Sequence, residues 1–291
     1  MTSKCLAYAA LLLAGCEWGG GAGPTPASHS ADARPADAAK PKDATMADAA
    51  NVDAPIADAA TPATDHLLLT ELALSPDGAE LIELFNPTGN TIDLKDYYLS
   101  NHGSYFKLPV AGQSLPFAHF IVKFPINSDI KAGQVITVAT QGAAPFMMFH
   151  GVLPNYSITD GTMVNVAVNS TPRLTDSGAT VILFHWNGSS GAVDDVDIMV
   201  AGTPTLTNVL VDKSGVMQNG ATYKTDANTI PAQASAPGID QSTKRIKREG
   251  GNEAATGGNG LTGHDETSEK TDVTWDASFS APTPGAIPPT L

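Results

Sequence analysis

An all-β sandwich is the fold this sequence predicts, and three observations carry the prediction. After residue 65 the chain breaks into short runs rich in β-branched and aromatic residues, punctuated by Gly, Pro, Asn and Asp. In "FAHFIVKF" (117–124), Phe120, Val122 and Phe124 fall on one side while His119 and Lys123 fall on the other. That is the period-two pattern of a half-buried strand. No stretch beyond residue 65 offers three turns of amphipathic helix. Many short strands at regular spacing build a sandwich.

In chain order the predicted strands are "LLLTELAL" (67–74), "AELIELFN" (79–86), "TIDLKDYYL" (91–99), "FAHFIVKF" (117–124) and "GQVITVAT" (133–140). They continue with "TMVNVAV" (162–168), "GATVILFHW" (178–186) and "AVDDVDIMV" (192–200). Between the second and third, Asn86-Pro87-Thr88-Gly89-Asn90 supplies Pro for a fixed φ and Gly or Asn for a positive one, which predicts a turn between neighbouring strands. Ile82 and Leu84 then face the core, and Glu83 lies on the opposite side, exposed or hydrogen-bonded. "GSSG" (188–191) reads as a hairpin turn. Tyr97, Tyr98, Tyr105 and Trp186 are expected to pack between strands, the alternative being a platform for sugar or protein.

The N-terminus has a different character. "MTSKCLAYAALLLAGCEWGGG" places one cation, Lys4, before an apolar stretch from Leu6 to Leu13, followed by small residues. This is the shape of an export signal, too short to span a membrane. Leu13-Ala14-Gly15-Cys16 resembles the bacterial lipobox, in which cleavage precedes a cysteine that then carries lipid. Residues 1–15 are therefore expected to be a lipoprotein signal peptide and Cys16 the lipidated residue, anchoring the chain to a membrane. The alternative is an ordinary secretory signal with an incidental cysteine. Each buried methylene of an acyl chain contributes ~0.8 kcal/mol to such an anchor. Loss of Lys4 with the signal changes the formal charge from −14 to −15.

Residues 16–64 are Ala-, Pro- and Asp-rich, with aspartates at 43, 48, 53 and 58 and prolines at 41, 55 and 62. They hold no apolar stripe to bury and are expected to form a disordered tether, spanning on the order of 40 Å. Residues 65–291 are expected to be the folded domain. Cys5 and Cys16 are the only cysteines, so that domain can contain neither a disulfide nor a thiolate site.

Charge and motif content exclude several functions. A net charge of −14 argues against nucleic acid, whose affinity rests on Lys and Arg. The one dense basic run, "KRIKR" (244–248), reads as a solvated strand face. Seven histidines are scattered without a His-Glu-x-x-His pair, and neither a Gly-x-Ser-x-Gly elbow nor a phosphate-cradling Gly-Lys loop occurs.

Two acidic groups remain as candidate metal ligands. "DDVDI" offers Asp194, Asp195 and Asp197, of which Asp195 and Asp197 share a face on a regular strand. "GHDETSE" (263–269) adds His264, Asp265, Glu266 and Glu269 behind a Gly-rich stretch, and carboxylates with loop carbonyls are the donors that Ca²⁺ prefers. The bland reading is solubilising charge for the first and loop capping for the second. No catalytic residue is expected. A metal-dependent extracytoplasmic hydrolase would need both groups in one cleft around a cation.

The strand sequences also carry a resemblance. "LLLTELAL" followed by "AELIELFNPTGNTIDLKDYYLSN" resembles the opening of the bacterial lamin-tail domain family, with Glu71, Glu80, Ile82, Glu83, Leu84, Asn86, Asp93 and Leu94 at its pattern positions. "IKAGQVITVAT", "GATVILFHWNGSSGAVDDVDI", "STKRIKRE" and "APTPGAIPP" resemble its later strands and closing segment. The likeness runs over 66–291, with 141–177 and 201–262 standing as insertions. The resemblance implies an immunoglobulin-like β-sandwich without catalytic residues, carried by exported or membrane-attached proteins. The expected function is a cell-envelope lipoprotein that binds a protein or glycan, adheres or scaffolds. A calcium-stabilised adhesin is a further alternative.

Overall fold

The structure is a computed structural model that describes residues 64–110, 114–202, 211–226, 233–248 and 256–291. The expected signal peptide, Cys16 and all but the last residue of the expected tether lie outside them. Along the chain run β1 (Leu68–Ala73), β2 (Leu81–Phe85), β3 (Ile92–Asp93), β4 (Tyr97–Ser100), β5 (Phe120–Lys123), β6 (Asp129–Ile130) and β7 (Val135–Ala139). After α1 (Ala143–His150) come β8 (Tyr156–Ser157), β9 (Val164–Val168), β10 (Gly178–His185) and β11 (Asp194–Gly202). β12 (Met217–Gln218), β13 (Ala221–Thr222), β14 (Thr243–Lys244) and α2 (Thr271–Thr274) complete the described elements.

Two five-stranded sheets, ordered β14-β1-β2-β7-β8 and β11-β10-β4-β5-β9, face each other. Alternation decides what lies between them. Leu69, Leu72, Ile82, Leu84, Ile136 and Val138 of the first sheet meet Leu99, Phe120, Val122, Val181, Leu183 and Met199 of the second in one core. Each such side chain contributes roughly 1.5–3 kcal/mol on burial. The fold is all-β, as expected, and its longest described helix, α1, has eight residues.

The second sheet departs from a simple greasy-in, polar-out scheme. Its far face also buries Tyr98, Ile121, Ile182, Phe184, Ile198 and Val200, packed under Tyr105, Phe106, Leu115, Val211 and Tyr223. Residues 105–108, Leu115 and the β12–β13 region thus build a second core on the outside of the sandwich. The tyrosines at 97, 98 and 105 are buried in packing, as expected.

Two expectations need correction. The 86–90 segment does not close a hairpin: β2 pairs with β1 and β7, while the chain beyond passes through β3 to β4 in the opposite sheet. Gly89 does not take a positive φ. Asn86 holds the segment instead, accepting from the Thr88 amide at 3.0 Å and donating to the carbonyls of Asn90 at 2.8 Å and Ile130 at 2.9 Å. Secondly, "KRIKR" is not a solvated face: Arg245 is fully buried, and Lys244 lies in β14, paired with β1. The segments 141–177 and 201–262, expected as insertions beyond the minimal domain, carry strands of these sheets. β8 pairs with β7 in parallel, β9 pairs with β5, and β14 adds the outer strand beside β1.

Candidate functional site

β11 carries the acids that sequence reasoning singled out. In its pairing with β10, Leu183 opposes Asp197 and Phe184 opposes Asp195, so Val196 has no opposite number. An extra residue in one strand reverses the side-chain alternation. Asp195 and Asp197 therefore point to opposite faces and do not share one. Both are buried rather than solubilising.

Asp195 enters the outer core. The Lys213 ammonium donates to it at 2.6 Å and to Asp226 at 3.1 Å, and the Tyr105 hydroxyl donates to its other oxygen. Burial drives the Asp195 carboxyl up, while Lys213 pulls it back. Burial alone would lower Lys213, but the two carboxylates outweigh it and hold the ammonium protonated. Asn259 closes the cluster, donating to Asp226 at 2.6 Å.

Asp197 enters the space between the sheets, where Arg245 waits. One guanidinium nitrogen lies 2.7 Å from each Asp197 oxygen. The other donates to Glu269 at 2.8 Å, and Nε donates to the Leu69 carbonyl at 2.8 Å. The guanidinium also lies 5.2 Å from the Trp275 ring. The two acidic segments thus do converge, through Asp197 and Glu269, but around a guanidinium.

The other candidate ligands serve different ends. Asp194 is half-exposed, with an oxygen 3.6 Å from His185 Nδ1. Asp265 caps a short 3₁₀ turn (266–268) by accepting from the Thr267 amide at 3.2 Å. Glu266 is buried. The five proposed calcium ligands, Asp194, Asp195, Asp197, Asp265 and Glu266, are therefore not assembled around a common point.

The acids of the first sheet behave in another way. Glu71 and Glu83 are directly opposed across β1 and β2. Glu83 accepts from the Gly285 amide at 2.7 Å and shares a hydrogen bond with the Thr70 hydroxyl. Glu80 accepts from the Leu174 amide at 3.0 Å and bonds the Thr140 hydroxyl. Burial, with neighbouring acids adding to it, pushes each of these two carboxyls up to about 8. In both places one oxygen accepts from a backbone amide and the other from a hydroxyl, bonds that offset only part of the burial cost of the charge. Glu71 accepts from the Thr283 amide at 2.9 Å. Glu83 was expected to be exposed or hydrogen-bonded; it is hydrogen-bonded and buried.

A metal-compatible group that sequence spacing did not reveal lies at the start of β1. Asp65, His66 and His264 each offer a ligand atom, all within 4.8 Å of one another. Two surface depressions, of about 230 Å³ beside Arg173 and about 260 Å³ beside His150, fall below the roughly 300–1,000 Å³ of small-molecule sites. Met147, Met148, Phe149, Val152 and Leu153 expose apolar surface on α1 and the turn after it.

With the sheets and their buried acids placed, comparison with known proteins becomes informative. Residues 60–199 match the family model described as Lamin Tail Domain. Residues 60–199 carry a lamin tail domain. That family is non-catalytic and immunoglobulin-like, and the sandwich here shares the immunoglobulin-like fold. The match spans β1 to most of β11; β14 and α2, which supply and flank Arg245, lie beyond it. No curated protein matches the chain. Among solved structures it is similar to the crystal structure of a DUF4876 family protein from Bacteroides thetaiotaomicron VPI-5482, at 13% identity, over 77% of this chain and 72% of that one, with a TM-score of 0.38. The Glu71, Glu80 and Glu83 positions of the lamin-tail pattern are latches in this fold, fastening residues 283, 174 and 285 to the first sheet.

Proposed function

We propose that this protein is a bacterial cell-envelope lipoprotein that displays its lamin tail sandwich, without catalysis, as a module for adhesion, scaffolding or binding of a protein or glycan. The observation that carries the reading is the order Leu13-Ala14-Gly15-Cys16 directly behind an apolar run. The Ala-, Pro- and Asp-rich stretch that follows supports it, since a chain of that composition provides reach rather than a core. The commitment of Asp195, Asp197 and Glu269 to Lys213 and Arg245 supports a structural use of acids that a hydrolase would need for chemistry. The apolar surface of α1 supports the binding part, because soluble monomers keep such patches small.

The anchor is tested by Cys16→Ala in the full chain. The variant should leave the membrane fraction and the detergent phase for the aqueous one, while the parent stays with both. A Cys16→Ala protein that still fractionates with membranes sinks the lipoprotein reading.

A further inference from the structure

We infer that Asp65, His66 and His264 form a binding site for a late first-row divalent transition metal of the zinc, nickel or copper class. It would staple the start of the sandwich to the segment that carries His264. This inference does not depend on the lipid anchor.

The geometry comes first. Asp65 Oδ1 and His66 Nδ1 are 3.0 Å apart, close to the edge of about 3.3 Å expected of two ligands on a tetrahedral zinc. The His66 and His264 rings stand edge to face, at 84°, with centroids 5.9 Å apart. Two imidazoles on one tetrahedral ion hold their centroids about 5 Å apart. The three ligand atoms all lie within 4.8 Å of one another, against an edge of about 3.3 Å on a tetrahedral zinc, so an ion needs only a modest closing of the group.

The donor set selects the metal. Two imidazole nitrogens and one carboxylate suit zinc, nickel or copper, whereas calcium takes six to eight oxygens. With three protein ligands the fourth position of a tetrahedral ion would be taken by water.

Both arms of the site are held by the fold. His66 directly precedes Leu67 and Leu68, which are fully buried at the start of β1. The other arm is docked on β11: the Asp195 amide donates to the Asn259 carbonyl at 2.9 Å, and the Gly260 amide donates to the His264 carbonyl at 2.8 Å. A Cβ at Gly258 would sit 2.3 Å from the His264 carbonyl oxygen, and one at Gly260 2.7 Å from it. Only glycine at those places lets the loop fold back and present His264. An ion there bridges positions 66 and 264, and a ligand that binds only the folded state stabilises it.

The test uses the full chain, stripped with EDTA and titrated with ZnCl₂, NiCl₂ or CaCl₂ by calorimetry and thermal unfolding. Zinc should bind one per chain and raise the melting temperature by several degrees, while calcium at equal concentration should not. His264→Gln and Asp65→Ala, both outside the hydrophobic core, should keep the metal-free melting temperature and weaken zinc on the order of tenfold or more. Zinc binding that survives both variants, absence of a zinc-dependent shift, or a shift with calcium alone overturns the assignment.

Discussion

The lamin tail sandwich buries acids in two places and keeps them there by opposite means. On β1 and β2, Glu71 faces Glu83 directly, and Glu83 escapes repulsion by remaining protonated, its pKa pushed to about 8. On β11, Asp195 and Asp197 keep cations instead, Lys213 for one and Arg245 for the other. The difference lies in what the rest of the chain brings. Glu80 and Glu83 of the first sheet receive hydroxyls and backbone amides from Thr70, Gly285, Thr140 and Leu174, while Lys244 stands 3.7 Å from Glu71. β11 receives side chains that are charged at any working pH. A buried carboxyl is thus no statement of charge until its partners are known.

The sharpest break in the comparison is Arg245→Ala. It leaves Asp197 and Glu269 buried without their cation, a loss of about 3–5 kcal/mol. Urea unfolding of the full chain should show a loss of that size; a change under about 1 kcal/mol would mean that water replaces the guanidinium.

The next test separates the two regions by pH. Glu80 and Glu83 have ordinary pKa values of 4.5 and folded values of about 8. Between these the folded state binds more protons than the unfolded one. Their contribution is complete below pH 4.5 and is lost as pH rises through 8. Stability should therefore fall across this window by up to about 1.4 kcal/mol per pH unit for each group, then level off. Glu83→Gln imitates the protonated carboxyl and should remove one group's share of the slope. An unfolding free energy that does not change between pH 5 and pH 8 would place both regions in the charged class.

Tyr105→Phe gives the smallest effect. It removes one neutral donor from Asp195 while Lys213 remains, and should cost about 1–2 kcal/mol in the same urea experiment. A much larger loss would show that the hydroxyl, rather than the ammonium, holds this carboxylate in place.

Much of the fold was legible because it depends on alternation over four residues or more. β1, β2, β5, β7, β9 and β10 fall within runs that the sequence marks as strands, and β4 and β11 overrun theirs by one and two residues. The two-residue strands β8, β12, β13 and β14 have no period to detect, so 201–262 stood as an insertion without a marked strand, although it supplies the outer strand beside β1. The site was less legible for a different reason. A residue inserted at Val196 reverses the facing of Asp195 against Asp197, and nothing in "DDVDI" marks it. Arg245 looked solvated because its acids lie 24 and 48 residues away. His66 and His264 meet across nearly the whole domain, where no motif spacing applies. The Glu-x-Ile-Glu pattern, by contrast, could have signalled burial, since both its acids lie beside core strand positions.

β1 lies between β14 and β2 in the first sheet, and it is the strand that the chain preceding Asp65 runs into. Ladder bonds stand perpendicular to strands, so tension arriving along that chain strains the bonds to both neighbours together, in shear, and does not peel them open singly. β1 is thus held along its own axis by the bonds of both neighbours at once.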